Sequence, residues 1–266
     1  MRLHRFYIAD KIDGGKIGSQ ITLTIDSADL VNQIRRVFRL KNGDSVILFD
    51  GSGFDYECEV AGDESKIGGD LGVHGHGNKT HHKNSISFRV TSSERSHYMP
   101  ARDIYLCAAI TKKDTFEWIV EKATELGVTH IIPVLAERSE KKSLNEERLR
   151  KIVVEASEQS GRGCVPLIHQ IKNLSEAFVA VKNIQSVVFH TEAELFSKDE
   201  LKEKGDANLA DSSPLAVFIG PEGGWSPDEI DMFHTLKVPV RSLGNQVLRA
   251  ETAVIAALSR VVFTNK

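Results

Sequence analysis

Cysteine is scarce. Cys58, Cys107 and Cys164 are the only three in 266 residues, and an odd, scattered set excludes a disulfide framework or a zinc ribbon and fits reduced thiols. Long apolar runs are missing too: nowhere do about 18 apolar residues follow one another, and Met1-Arg2-Leu3-His4-Arg5 opens no stretch of signal-peptide length. The expectation is a soluble, cytoplasmic chain with no membrane contact. Nor does either sign of charge dominate. Lys plus Arg is 34 against 37 for Asp plus Glu, a net of −3, which excludes a polybasic tether and requires any contact with nucleic acid to be local. Repeats of solenoid length are absent. With 41% hydrophobic and 27% charged residues, wholesale disorder, collagen and coiled-coil designs are also excluded.

What is present divides the chain in two, residues 1–95 and 96–266. The first part is β-rich: residues 45–50 and 54–60 read as strands about a Gly51-Ser52-Gly53 turn. Residues 29–40 place Leu30, Ile34, Val37 and Phe38 at helical spacing, with Arg35, Arg36 and Arg39 on the other face. Residues 62–84 are rich in Gly and His and read as a loop. His74, His76, His81 and His82 lie there, but no Cys or carboxylate is spaced to complete a metal site, and none is expected.

From about residue 102 apolar strands alternate with amphipathic helices, the pattern of a parallel α/β sheet. Asp114 with Glu117, and Ser143 with Glu146, have capping-box spacing and predict two helix starts. The inner stripes are Phe116, Ile119, Val120 and Ala123, then Leu149, Ile152, Val153 and Ala156. Further strands are predicted at 186–190, 215–219 and 239–243. Ligands of such sheets bind at the carboxyl ends of the strands.

Two of those ends carry glycine-bearing loops. Gly220-Pro221-Glu222-Gly223-Gly224-Trp225 follows a strand and leads into Ser226-Pro227-Asp228-Glu229, an N-cap, a proline suited to the first helical position and a capping-box glutamate. The glycines let backbone approach a ligand, although a tight turn would need them as well. Glu222 stands where a dinucleotide fingerprint needs its second glycine, and no Gly-Lys-Ser/Thr follows. A carboxylate there repels phosphate and suits ribose hydroxyls, an amine or a sulfonium. The second loop, Leu243-Gly244-Asn245-Gln246-Val247-Leu248-Arg249, precedes a helix with a Val254, Ala257, Leu258 and Val261 stripe.

Gly-Pro-Glu-Gly-Gly followed later by Leu-Gly-x-x-Val-Leu-Arg-x-Glu-Thr-Ala resembles the ribosomal RNA small-subunit (16S) uridine N3-methyltransferases of the SPOUT superfamily. His4-Arg5-Phe6, Val37-Phe38-Arg39, Phe49-Asp50-Gly51, Thr111-Lys112-Lys113-Asp114, Glu137-Arg138-Ser139 and the run from Glu155 to Arg162 extend the likeness over most of the chain. Gln33 and Phe38 depart from residues usual in that family, and the loop 62–84 reads as an insertion.

The resemblance implies an N-terminal PUA-like β-barrel that grips RNA and a C-terminal α/β domain with a deep trefoil knot, acting as a homodimer. It implies S-adenosylmethionine held by Ile219, Gly220, Glu222, Gly223, Gly224, Leu243, Gly244, Val247, Leu248 and Arg249, joined by His190. Arg249 and Glu222 become the catalytic candidates. Arg5, Arg39, Lys112, Lys113, Arg138 and Arg162 become candidates for contact with 16S ribosomal RNA, within the small ribosomal subunit. The competing readings are a non-catalytic RNA-binding assembly factor on the same scaffold and an unrelated nucleotide hydrolase, the latter opposed by the missing Gly-Lys-Ser/Thr.

Overall fold

The computed structural model describes residues 3–12, 22–61, 85–140, 142–197 and 213–263. The histidine-rich segment 62–84 lies outside them. The chain forms two compact units, Met1–His97 and Tyr98–Lys266.

The first unit holds β1 (His4–Tyr7), β2 (Thr22–Ile25), α1 (Ala28–Asn32), β3 (Ser45–Phe49), β4 (Phe54–Ala61) and β5 (Ile86–Arg95). The curled sheet runs β1-β3-β4-β5-β2, antiparallel except for the parallel β1–β3 pair. Phe6, Val46, Leu48, Tyr56 and Phe88 fill its inner face, and Leu30 and Ile34 pack onto them.

The helix expected over 29–40 is corrected. After α1 the chain makes a π-helical turn at Gln33–Val37, with the Phe38 N–H bonded to Gln33 O at 2.9 Å. The wider turn advances the chain by one extra residue, so the apolar stripe slips off the core face. Leu30 and Ile34 stay buried, whereas Val37 is 64% and Phe38 37% exposed.

The second unit holds β6 (Ile104–Ala109), α2 (Lys113–Glu125), β7 (His130–Leu135), α3 (Glu146–Ser160), β8 (Leu167–Ile168), β9 (Lys172–Asn173), α4 (Leu174–Ala180), β10 (Gln185–Phe189), β11 (Leu215–Ile219), α5 (Pro227–Thr235), β12 (Val240–Arg241) and α6 (Ala250–Val262). The sheet runs β12-β10-β11-β6-β7-β8, with β9 also on β7, and every pair is parallel. Alternate residues serve opposite faces, as strand geometry requires. Leu106, Ala108, Leu215 and Val217 join the core under α2, α3 and α6, while Cys107, Ala109, Ala216 and Phe218 join the one under α4 and α5. With both faces covered, the strands are apolar throughout, hence the unbroken runs in the sequence. Burial pushes the thiols of Cys58 and Cys107 up, Cys58 to about 12, as inert core thiols.

Two of the expected helix starts are also corrected. Lys112, not Asp114, is the N-cap of α2, and it makes no side-chain cap bond. Glu117 is instead drawn to Lys113 and Arg148. For α3 the cap is Asn145, whose side chain accepts from the Arg148 N–H at 3.0 Å, in place of Ser143. Ser226 caps α5 as expected, in a complete capping box with Glu229 and with Pro227 opening the helix. The strand expected over 239–243 is shorter, continued only by a bridge from Ser242 to Leu195. Residues 198–212, which join β10 to β11 in sequence, lie outside the described residues.

Candidate cofactor site

Three neighbouring parallel strands, β12, β10 and β11, end side by side, and the chain leaves each of them in a polar or glycine-rich loop. Between these loops lies a cavity of about 300 Å³, at the lower end of small-molecule sites. His190 enters from the end of β10. Ile219, Gly220, Glu222, Gly223 and Gly224 come from the β11 loop, and Leu243, Gly244, Val247 and Leu248 from the loop before α6. The two glycine loops thus share one hollow.

Their shapes have local causes. A Cβ on Gly220 would sit 3.2 Å from the Trp225 indole, which is buried and donates from Nε1 to Phe189 O at 3.2 Å. A side chain there would crowd that ring, which would have to give by a few tenths of an ångström. Gly224 has φ +68, where any side chain is strained. In the second loop the Ser242 hydroxyl accepts from the Gly244 N–H at 3.2 Å and donates to Gly244 O at 2.8 Å, closing a tight turn.

Arg249 does not line the cavity. It is exposed at the N-cap of α6, between Leu248 and Ala250, which do line it. Glu222 faces the cavity yet is exposed, and its Oε1 lies 3.5 Å from the Lys112 N–H. Sequence reasoning missed Trp225, Ser242 and Glu192, also cavity-lining. The two glycine loops were the only signal it had for the hollow, and neither shows which bulky side chain packs beneath.

Residues 98–262 match the family model described as RNA methyltransferase domain, and residues 29–68 the one described as RNA methyltransferase PUA domain. Over 98% of this chain and 96% of the relative, it is 30% identical to the ribosomal RNA small subunit methyltransferase E of Rickettsia conorii. The chain belongs to the ribosomal RNA small subunit methyltransferase E family. A methyltransferase structure from Legionella pneumophila, solved in complex with the bound cofactor SAM, has a TM-score of 0.78 at 25% identity, covering 98% of this chain and 97% of that one. The Neisseria gonorrhoeae ribosomal RNA small subunit methyltransferase E bound to S-adenosyl methionine shares the fold at TM-score 0.75 and 24% identity, covering 97% and 96%.

The expected RNA-facing side chains fare unequally. Arg5 is corrected: its side chain is buried, and it donates to both Asp55 carboxylate oxygens at 2.7 and 2.8 Å while its guanidinium lies 5.1 Å from the Phe49 ring centroid. Arg162 is corrected likewise, being buried and donating to Thr124 O at 2.6 Å. Both serve the interior because their strand or loop turns inward, which charge alone does not reveal. Arg39, Lys112 and Lys113 are exposed, and the two lysines pair loosely with Glu140 at 3.7 Å and Glu117 at 3.8 Å. Arg138 is exposed but lines the cavity, and its Nη1 donates to Gly223 O at 2.9 Å. Among the described residues no helix is long and apolar enough to cross a membrane.

Proposed function

We propose that this chain transfers a methyl group from S-adenosylmethionine to N3 of a uridine in the 16S RNA of the small ribosomal subunit. The observation that carries the reading is the hollow shared by the two glycine loops at adjoining strand ends. Its lining suits such a donor. Ile219, Leu243 and Leu248 offer apolar surface to a base, the glycine backbone permits close approach, and Glu192 and Glu222 set negative charge where a cation would lie. The Legionella structure that resembles this chain is described with SAM bound.

S-adenosylmethionine, when bound, supplies an electrophilic methyl on a sulfonium. The chain's own part is to hold the base in line with that methyl at about 3 Å and to favour the uracil anion. Arg249, the α6 N-cap between the lining residues Leu248 and Ala250, is the side chain for this second task. Its permanent charge and planar donors suit developing charge on the uracil carbonyl oxygens. Glu222, solvent-exposed, serves by attracting the cation, and the N3 proton passes to solvent water, leaving the uracil anion whose charge Arg249 offsets as the N3–methyl bond forms and the sulfur–methyl bond breaks. Lys112, Lys113 and Arg39 hold phosphate.

The same reading has the chain acting as a cytoplasmic homodimer on RNA within the small subunit. Residues 1–95 form its PUA-like unit and residues 96–266 its knotted SPOUT unit.

Nucleoside analysis of ribosomal RNA tests the reaction. A strain without the gene loses one 3-methyluridine and regains it on complementation, whereas an unaltered nucleoside profile would overturn the assignment and leave a non-catalytic assembly factor. Arg249→Ala is expected to lower turnover about tenfold or more with an unchanged circular dichroism spectrum. Wild-type turnover would dismiss Arg249 from catalysis.

A further inference from the structure

We infer that Arg138 is a positioning residue that sets the methyl-donor loop before the donor arrives, a role that rests on the reading above. The residue follows β7, and its side chain crosses to the loop after β11. Its Nη1 donates to Gly223 O at 2.9 Å and to Trp225 O at 3.4 Å. Its aliphatic stem fills the space a side chain at position 223 would need, with Cβ at 3.3 Å and Cδ at 3.4 Å from where that Cβ would stand. The preceding residue is tied to the same region. The Glu137 N–H donates to Glu229 Oε1 at 2.9 Å, while Glu229 Oε2 accepts from the Ser226 N–H at 2.8 Å.

These bonds fix two peptide planes at both of their ends. A planar trans peptide points its carbonyl and its N–H in opposite directions. The plane joining Gly223 to Gly224 has its oxygen on Arg138 and its N–H on Pro221 O at 2.9 Å. The plane joining Trp225 to Ser226 has its oxygen on Arg138 and its N–H on Glu229. They pin the carboxyl end of the most glycine-rich stretch of the cavity wall, residues 220–224, the backbone with the most freedom to lose on binding. A loop ordered in advance spares the donor that cost, so Arg138 contributes to affinity through the loop it holds. Its guanidinium acts through carbonyl oxygens, which separates this role from phosphate contact.

The test uses the full chain with Trp118→Phe, which leaves Trp225 as the only tryptophan of the two. Arg138→Met keeps the stem and removes the donors; Arg138→Lys keeps one cationic donor. Calorimetry with S-adenosylmethionine is expected to show the dissociation constant rising about tenfold in Arg138→Met, as for lost charge-assisted hydrogen bonds, with part of the loss recovered in Arg138→Lys. Donor KM rises in step while kcat at saturating donor stays within about twofold. RNA affinity keeps its salt dependence, and Trp225 emission of the donor-free protein shifts to the red. Wild-type donor affinity with an unshifted Trp225 emission would overturn the inference. So would an unchanged donor constant with a salt slope for RNA reduced by about one, the mark of a lost phosphate contact. If the unsubstituted chain binds no donor, the proposed function fails, and the Trp225 emission alone still decides whether Arg138 orders the loop.

Discussion

Arginine does opposite jobs in this chain according to where the backbone turns it. Arg5 lies in β1 between exposed His4 and buried Phe6, and its partner Asp55 is 50 residues away on β4. Nothing local in His4-Arg5-Phe6 announces that pairing, so the sequence shows the charge and hides its burial. Removing Arg5 strands the partly buried Asp55 carboxylate, at about 1–3 kcal/mol. Arg5→Met is therefore expected to lower the denaturant midpoint clearly while the RNA affinity of the folded protein is unchanged. An unaltered midpoint with weakened RNA binding would return Arg5 to the RNA-facing set. Gly220 shows the converse. Its place in a binding loop is legible, but its immediate cause, the Trp225 ring at 3.2 Å, appears only once the loop is folded.

At the scale of elements, periodicity placed the main helices and the long strands well, because each buries one continuous stripe or run. Caps were legible only where several signals converged. Ser226, Pro227 and Glu229 follow an apolar strand and fix one register, and the box forms there. Before α3, Ser143 and Asn145 both stand within reach, and backbone torsions choose Asn145. Asn145→Ala is expected to cost about 1 kcal/mol in chemical unfolding and Ser143→Ala almost nothing. The reverse order would place the helix start at Ser143.

Another element-scale pairing joins His130, opening β7, to His169 beyond β8, with Nδ1 and Nε2 3.1 Å apart and Tyr105 of β6 stacked on the first ring. Burial pushes both imidazoles below the ordinary 6.5; His130 and Lys172 push His169 further, whereas Asp103 opposes the shift of His130. Below about pH 6.5 the unfolded chain thus binds more protons than the folded one. The stabilisation is fully present above that pH and is lost as pH falls through the depressed folded values. Melting temperature should therefore drop from about pH 7.5 to about pH 5, and His169→Gln should flatten that drop. A flat profile in the unsubstituted protein would contradict it.

At the scale of the whole molecule, the two units were legible as a change of pattern, while the order of strands in the second unit was not. β6 sits between β7, its neighbour in sequence, and β11, more than a hundred residues on, a long-range pairing that no window of sequence contains. That order brings β10, β11 and β12 together and so makes one hollow of two separate loops. The recognisable glycine motifs marked the loops individually; the folded sheet supplies their adjacency. The most direct measurement is a crystal structure of the full chain soaked with S-adenosylmethionine. The donor should lie against residues 220–224 and 243–248, with Arg138 still bonded to Gly223 O. A well-ordered donor bound elsewhere, with those two loops facing only solvent, would contradict the account.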